Sequence, residues 1–511
     1  MAIVQQHILS PTSESFVLSF ANTTNNKNLY SESVDVDDDG NIYVVMWDFD
    51  EANILKIKPD GTTAWKKRIT DVRDSNRFSA VKVDESSGDV YCVGITYGNI
   101  PSGAPYYVGL QYQCLVAKYN SSGVRQWAKI LGDIASQAQN NVWYSEQENI
   151  LGRIMSADSN GIKFRLFKEN ACGPGFTDIF ESAYIEINSS GSLVRQRMTS
   201  DYSSETTPSN NCRYNNPYTD RFMTYGYGCM TTGGGHFACG AYRGVSYYQA
   251  TGNRHGVIAK FNSSGNLVWN KKFEESSAND GTYCRGMDSD SNDNVYVFTD
   301  EFILKFNTSG TLQWRRKLSS SNTSQIRAIR VDPDDDDGIF VMGTIQISGT
   351  HDWGTNQTVR HITKYNSSGS LQWQRVLAGI YPSYHGFIIK DKFLYFVGGS
   401  IGQTNGAYDT AVLKIPTSGN LAGMITHDSN TFSVRNGGDN GNYDIYIAGG
   451  TSTGMTSTVN PSYHNLSNFT GRKNHDGNID YVNATNHNDG SAFGDSNSNV
   501  TCVKTSLGFY S

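Results

Sequence analysis

The residues best able to do chemistry in this chain recur. Lys56, Lys118, Lys260, Lys305, Lys364 and Lys414 each stand five positions before a glycine, and Glu186 takes that place in one further copy. Trp65, Trp127, Trp269, Trp314 and Trp373 stand four positions after it. Lysines at equivalent places in rotationally related units would form a ring of positive charge able to greet an acidic glycan. The simpler use is that each stem covers apolar surface while its ammonium meets a local acid or water. Tryptophans repeated at one structural position point to packing between units, not to a ligand cage.

Acidic turns are the second chemical signal. Asp35-Val36-Asp37-Asp38-Asp39-Gly40 has the D-x-D-x-D-G opening of a calcium loop, and Asp332, Asp334, Asp336 and Gly338 echo it. An EF-hand loop closes with a bidentate Glu at its twelfth position, where Met46 stands; the related loop with Asp at the ninth position meets Tyr43. The runs therefore read as Asp-rich hairpin turns, and no metal ligand set is assigned. Eight cysteines without a CxxC pair, and ten histidines without HxH or HExxH spacing, read as packed thiols and surface polarity. Asn120, Asn188, Asn262, Asn307 and Asn366 open formal glycosylation sequons, which turn chemistry already accounts for. No catalytic dyad or triad stands out, so no catalytic or cofactor-binding residue is assigned.

The elements that hold these residues are legible in the repeat. Lys364 to Trp373 reads KYNSSGSLQW, and relatives of it surround Gly61, Gly123, Gly191, Gly265, Gly310, Gly369 and Gly419. An apolar strand ends in Lys and an aromatic or Ile, Asn-x-Ser-Gly follows, and a second strand carries the Trp. Asn and Ser bond their own backbone at a turn, and Gly takes the left-handed conformation that closes a short loop with a bulge. A second hairpin precedes each copy, as in Val83-Asp84 leading to Val90-Tyr91 and Met287-Asp288 leading to Val295-Tyr296. Each unit thus has four strands. Runs such as Ile42-Tyr43-Val44-Val45 are apolar at consecutive positions, so both faces must be covered. Four-stranded sheets packed face to face around an axis satisfy this: an all-β β-propeller.

The ends suggest the blade count. Tyr443 to Gly450 looks like an eighth first half without its KxNSSG hairpin, while Phe16 lies nineteen residues before Asp35 as Trp65 lies nineteen before Asp84. The expectation is eight blades, seven being the alternative, with the N-terminal strand pairing into the last blade to close the ring. The propeller should span 1–455. Residues 456–511, rich in Asn, Ser, Gly, His and Asp, form a polar extension expected to need a partner for order.

Composition narrows the partners. Charged residues are only 18% and the formal charge is -7, with no basic block to neutralise a row of phosphates, so nucleic acid is not expected. No apolar run of membrane-spanning length occurs, and the N-terminus lacks the basic start and apolar stretch of a signal peptide. A protein made without export and without membrane insertion is expected.

The unit VDxxGNxYVxG followed by KxNSSGxxxW resembles short propeller repeats of bacterial surface proteins, and especially repeats in structural proteins of tailed phages infecting marine cyanobacteria. The resemblance covers roughly residues 16 to 450. It implies a non-enzymatic virion component assembled in the host cytoplasm: a head decoration, a tail or nozzle subunit, or an adhesin. Its partners would be other virion proteins, copies of itself or a host surface glycan, with no cofactor. The inserts at 97–113 and 200–248 are where such contacts are expected. KYNSSGSLQW is also similar to the docking motif of eight-bladed quinoprotein dehydrogenases. This chain lacks their vicinal cysteines, their export signal and one residue of their hairpin. A polysaccharide-cleaving tail protein and a cellular adhesin or scaffold are also compatible with the repeat.

Overall fold

A computed structural model describes residues 14–22, 29–48, 51–70, 75–99, 110–132, 141–143, 154–170, 179–200, 221–244, 254–273, 284–299, 302–318, 325–333, 337–346, 350–351, 354–355, 358–378, 380–404, 407–417, 423–427, 430–436, 455–458, 467–468, 473–475, 480–483 and 494–510. Every element that carries the fold is a β-strand. The strands form seven sheets of propeller-blade type, each built on four consecutive antiparallel strands or their equivalent. Blades 1 to 6 occupy residues 30–70, 75–132, 154–200, 221–273, 286–318 and 325–378. Blade 7 takes three strands from 380–416, and its fourth is Glu14–Asn22, whose Phe16 sits opposite Lys414 and Phe20 opposite Thr410.

The count is therefore seven, not eight. The seventh glycine, Gly419, is followed at the fourth position by Gly423 instead of Trp, and Gly423–His427 joins the sheet of blade 6. The outer place in blade 7 is left to the N-terminal strand. Tyr443 to Gly450, on which the eighth unit rested, lies outside the described residues.

The repeated hairpin behaves as its residues require. A register shift falls between Lys56 and Ile57, Lys118 and Tyr119, Lys260 and Phe261, Lys305 and Phe306, and Lys364 and Tyr365, which is the bulge that a left-handed glycine produces. The Asn side chain bonds the turn from inside: Asn120 Oδ1 accepts from Ser122 N at 3.1 Å and Val124 N at 2.9 Å.

Glycine is required at this place for a second reason. Gly123 has φ +77°, and a Cβ there would lie 2.6 Å from the ring of Trp65 in the preceding blade. Gly234 has the same φ, yet its nearest neighbour would be 3.8 Å away. Gly234→Ala should therefore cost only the left-handed penalty of about 1 kcal/mol. Gly123→Ala should cost roughly 2 kcal/mol more, because Trp65 must leave its packed position. Urea midpoints of the two variants compare them directly, and equal midpoints would refute the close approach.

Apolar clusters join consecutive sheets. Val17, Leu394 and Phe396 pack on Phe340 and Met342 of blade 6, while Leu18, Val397 and Val412 pack on Val34, Val44 and Leu55 of blade 1. Comparable clusters join blades 1 and 2, 2 and 3, 4 and 5, and 5 and 6. Each fully buried Val, Leu or Phe contributes about 1.5–3 kcal/mol, so these seams carry most of the cohesion. Among the described residues no such cluster spans blades 3 and 4; Ala238, Val257, Ala259 and Phe261 group on blade 4 alone.

The extension after blade 7 has a regular course. Asn430–Asn436 pairs with the outer strand of blade 6, Met455–Thr458 with that of blade 5, and Ser467–Asn468 with that of blade 4. Lys473–His475, Asp480–Asn483 and Gly494–Ser496 follow on blades 3, 2 and 1, and Val500–Tyr510 lies along Glu14–Asn22 of blade 7. Every pairing is antiparallel. The segment thus visits the outer edges in descending order, adding two strands to the sheet of blade 6 and one to each of the others. Unpaired strand edges invite association, and a strand laid on each one covers it. The described strands of the polar extension pair with edges of the same chain.

Candidate functional site

The repeated polar residues gather at one rim, where the two hairpin turns of each blade lie. The lysine sits opposite an aromatic residue in the neighbouring strand: Tyr43 and Lys56, Tyr91 and Lys118, Phe237 and Lys260, Tyr296 and Lys305, Phe340 and Lys364. Its ammonium lies over that ring, at 4.7 to 5.4 Å from the centroid. It then reaches an aspartate, at 2.6 Å for Lys118–Asp89, 3.4 Å for Lys305–Asp290, 3.5 Å for Lys364–Asp332 and 3.8 Å for Lys56–Asp37. Lys260 instead approaches Asp293 of the next blade at 4.0 Å. Lys414 is buried over Phe393. These cations are engaged with local acids and rings, not arrayed toward solvent.

The tryptophans act between blades. Trp65 Nε1 donates to Ser121 O at 2.9 Å, Trp127 to Ser189 O at 3.1 Å, Trp269 to Thr308 O at 3.0 Å and Trp314 to Ser367 O at 3.1 Å. Each acceptor belongs to the Asn-x-Ser-Gly turn of the following blade, whose glycine lies against the same ring. Among the described residues two junctions use substitutes. At the junction of blades 7 and 1, Lys504 from the last strand lies on Gly61 and donates from Nζ to Pro59 O at 3.0 Å. At that of blades 3 and 4, Arg195 donates to Ser263 O at 2.7 Å.

The Asp-rich turns are likewise used by the protein. Asp37 accepts from Asn41 N at 2.8 Å and from the Tyr43 hydroxyl at 2.9 Å; burial first, and then this bond to Asp37, push the Tyr43 phenol well above its usual range. Asp35 accepts from Val83 N of blade 2 at 2.8 Å and pairs with Lys82 at 3.1 Å. Asp38 pairs with Lys390 of blade 7 at 2.5 Å, and Lys390 also holds Glu85 of blade 2 at 2.9 Å. Asp293 and Asp337 occupy the left-handed conformation at φ 58° and 55°. Their carboxylates bond the turn of the preceding blade: Asp293 takes Thr232 N at 2.8 Å, and Asp337 takes the Ser291 hydroxyl at 2.7 Å. That contact explains Asp where glycine would be less strained. Asp334 and Asp336 lie outside the described residues. Among the described residues no three acids, histidines or cysteines are grouped to hold a metal ion.

None of the described cysteines is in a disulfide. Cys92, Cys114, Cys229, Cys239 and Cys284 are buried free thiols. Burial pushes Cys92 and Cys114 far up and Cys502 up to about 12, so these three are protonated at neutral pH. Cys172 and Cys212 fall outside the described residues.

His361, fully buried in blade 6, is pushed down to about 4 by its burial first and by neighbouring Arg360 second. An unfolded histidine titrates near 6.5, so the unfolded state binds the proton more readily between those values. Stability is therefore present above about pH 6.5 and is lost as pH falls toward 4, by about 3 kcal/mol from this residue. Thermal melts of the protein and of His361→Leu across that window should show a smaller acid loss in the variant. Parallel curves would refute the assignment.

The rim opposite the turns is where the long connections begin and end. Strand ends at Asn99 and Leu110, Ser200 and Arg221, and Gly244 and Arg254 lie there, on blades 2 to 4. Of the inserts expected to make contacts, 97–113 and 200–248, residues 100–109, 201–220 and 245–248 lie outside the described residues, while Arg221–Met230 and His236–Gly244 of the second are not insert but the first two strands of blade 4.

An all-β propeller of seven blades is thus the class this chain belongs to by architecture. No family model matches the sequence, and no curated protein matches it. Among solved structures, the polysaccharide lyase Uly1 is similar at 9% identity over 80% of this chain and 100% of that one, with a TM-score of 0.35. A protein of unknown function from Bacteroides caccae is similar at 12% identity over 59% and 86%, TM-score 0.27. Drosophila Plexin A, in complex with Semaphorin 1b, is similar at 9% identity over 80% and 88%, TM-score 0.28. Likenesses of this size bear on neither substrate nor activity.

Proposed function

We propose that this chain is a non-enzymatic structural and interaction protein, a closed seven-bladed disc that serves as a component of a phage virion. One observation carries the non-enzymatic part: the lysines, aspartates and tryptophans repeated in the blades are committed to contacts within and between blades. The rim on which the long connections of blades 2 to 4 begin and end is the surface this reading assigns to partners. Placement on a virion, as head decoration, tail or nozzle subunit or adhesin, follows from the resemblance of the repeat unit to cyanophage structural proteins. The ring is closed by the N-terminal strand, which the pairing of Phe16 with Lys414 supports. Other virion proteins, further copies of the chain and a host surface glycan are the partners of this reading.

Two measurements test it. Gold-labelled antibody against the protein should mark phage particles at one fixed position, and absence of label from intact particles overturns the virion role. Incubation with host envelope polysaccharide should leave polymer length unchanged, whereas released oligosaccharides would make the protein a depolymerase.

A further inference from the structure

The seam between blades 3 and 4 is built differently from the others. Register places His236 opposite Phe261, the slot that Ile42, Val90, Ile162, Val295 and Ile339 fill in other blades. Arg165, opposite Tyr184, occupies the slot of Val45, Val93, Phe298 and Met342. An imidazole and a guanidinium thus replace two apolar positions in the seam that, among the described residues, no apolar cluster spans. Both are buried, at 2% and 1% exposure.

Their geometry fixes a protonation state. The His236 ring lies flat between Tyr184 of blade 3, at 4.4 Å, and Phe261 of its own blade, at 4.7 Å, each inclined by 9°. His236 Nε2 is 3.0 Å from Arg165 Nη1. A guanidinium can only donate, so Nε2 must accept, and the single ring proton sits on Nδ1. The charged and titratable groups facing the ring are Lys163, Arg165, Tyr184, Glu186 and Arg195 of blade 3. Glu186 is taken up by Arg195 at 3.3 Å and by the Tyr184 hydroxyl. On the blade 4 side the ring meets apolar Phe261.

We propose that His236 makes this seam a proton-operated joint, at which blades 3 and 4 separate on mild acidification while the seams that flank blades 1 and 2 hold. Protonation converts the Nε2 acceptor into a donor aimed at another donor. It also places a cation beside Arg165 in a dry interface, where like charges repel strongly. Burial first, then Arg165, Arg195 and Lys163, hold the proton off in the closed seam. An opened seam lets the ring titrate near 6.5, so closure is favoured above that pH and weakens below it, by about tenfold per pH unit for one proton. The long connections start from these same blades, so the joint would couple acidity to the rim where partners are expected.

Hydrogen exchange of the full chain at pH 7.5 and 5.5, corrected for the intrinsic pH dependence of exchange, tests this. Amides of Ile162–Leu166, Ala183–Ile187, Phe237–Cys239 and Val257–Ala259 should open about tenfold more at pH 5.5. Those of Val44–Met46 and Cys92–Ile95 should change by less than about threefold, since their seams carry no such ring. His236→Phe keeps the stack and should abolish the response. Arg165→Met removes a cation that opposes protonation in the closed seam and should weaken the response, and it stands as the test if His236→Phe does not fold. Equal opening at the two pH values, or an unchanged response in the variants, overturns the proposal.

Discussion

A chain that stops at residue 493 is expected to lose the protection of its N-terminal strand and to unfold at markedly lower denaturant. The deleted segment lies along Glu14–Asn22, pairing Phe16 with Ser506 and Asn22 with Val500. Without it that strand keeps only Ala407–Pro416 and becomes a bare edge at the end of the chain. The packing loss is specific. Val500, 1% exposed, leaves the cluster shared by blades 7 and 1, which costs about 2 kcal/mol. Ser498 abandons buried Asn53, its partner at 2.7 Å, and an unsatisfied buried amide costs a further 1–3 kcal/mol, roughly. Lys504 leaves Gly61, Pro59 and the Phe16 ring, removing the substitute for tryptophan at that junction. The sum is about 4 kcal/mol if the N-terminal strand stays. If it detaches, Phe16, Val17, Leu18 and Phe20 are exposed as well, on the order of 8 kcal/mol more. Hydrogen exchange at Phe16–Phe20 and Ala411–Leu413, with urea midpoints, reads both outcomes. Unchanged protection and midpoint would show that the last strand holds nothing.

What was legible in the sequence was local chemistry. Asn-x-Ser-Gly dictated the turn, the left-handed glycine and the bulge, because each depends on residues within a few positions of one another. Lysine and tryptophan at fixed offsets from that glycine were legible as packing residues, since repetition in every unit argues for a role every unit shares. The blade count was not, for a physical reason: it depends on which strand occupies the outer place in blade 7, and residues on both sides of Gly419 and near Phe16 compete for it. The course of the extension was equally hidden. Strands such as Ser467–Asn468 and Lys473–His475 have no alternation and no apolar face, and the edge they lie on supplies the pattern they lack. His236 is inconspicuous as a lone histidine in an apolar run. Aligning second strands on the glycine of their hairpins exposes it, because its aligned neighbours Ile42, Val90, Ile162, Val295 and Ile339 are aliphatic.

Lys305→Met is expected to destabilise the protein by about 3–5 kcal/mol, far more than an average substitution at a charged residue. Methionine keeps the stem that lies against Tyr296, so the change removes charge with little loss of packing. The cost falls on Asp290. Its side chain is 1% exposed, and Lys305 Nζ at 3.4 Å is the cation it faces. Asn294 N at 2.7 Å and Asn292 N at 3.1 Å still donate to it, so the turn persists around a carboxylate whose charge is no longer balanced. Lys305 also donates to Ser367 O of blade 6 at 3.2 Å, and that tie between blades is lost too. A second substitution separates the two losses. In Lys305→Met/Asp290→Asn the buried charge is gone while the turn amides keep an acceptor, so the double variant should be more stable than the single one despite carrying one more change. Lys390→Met provides the contrast. Its partners Asp38 and Glu85 are 74% and 40% exposed, water replaces the lysine there, and the expected loss is no more than about 1 kcal/mol. Equal losses for Lys305→Met and Lys390→Met, or a double variant weaker than the single, would show that the rim lysines are bound by their stems and not by their charge.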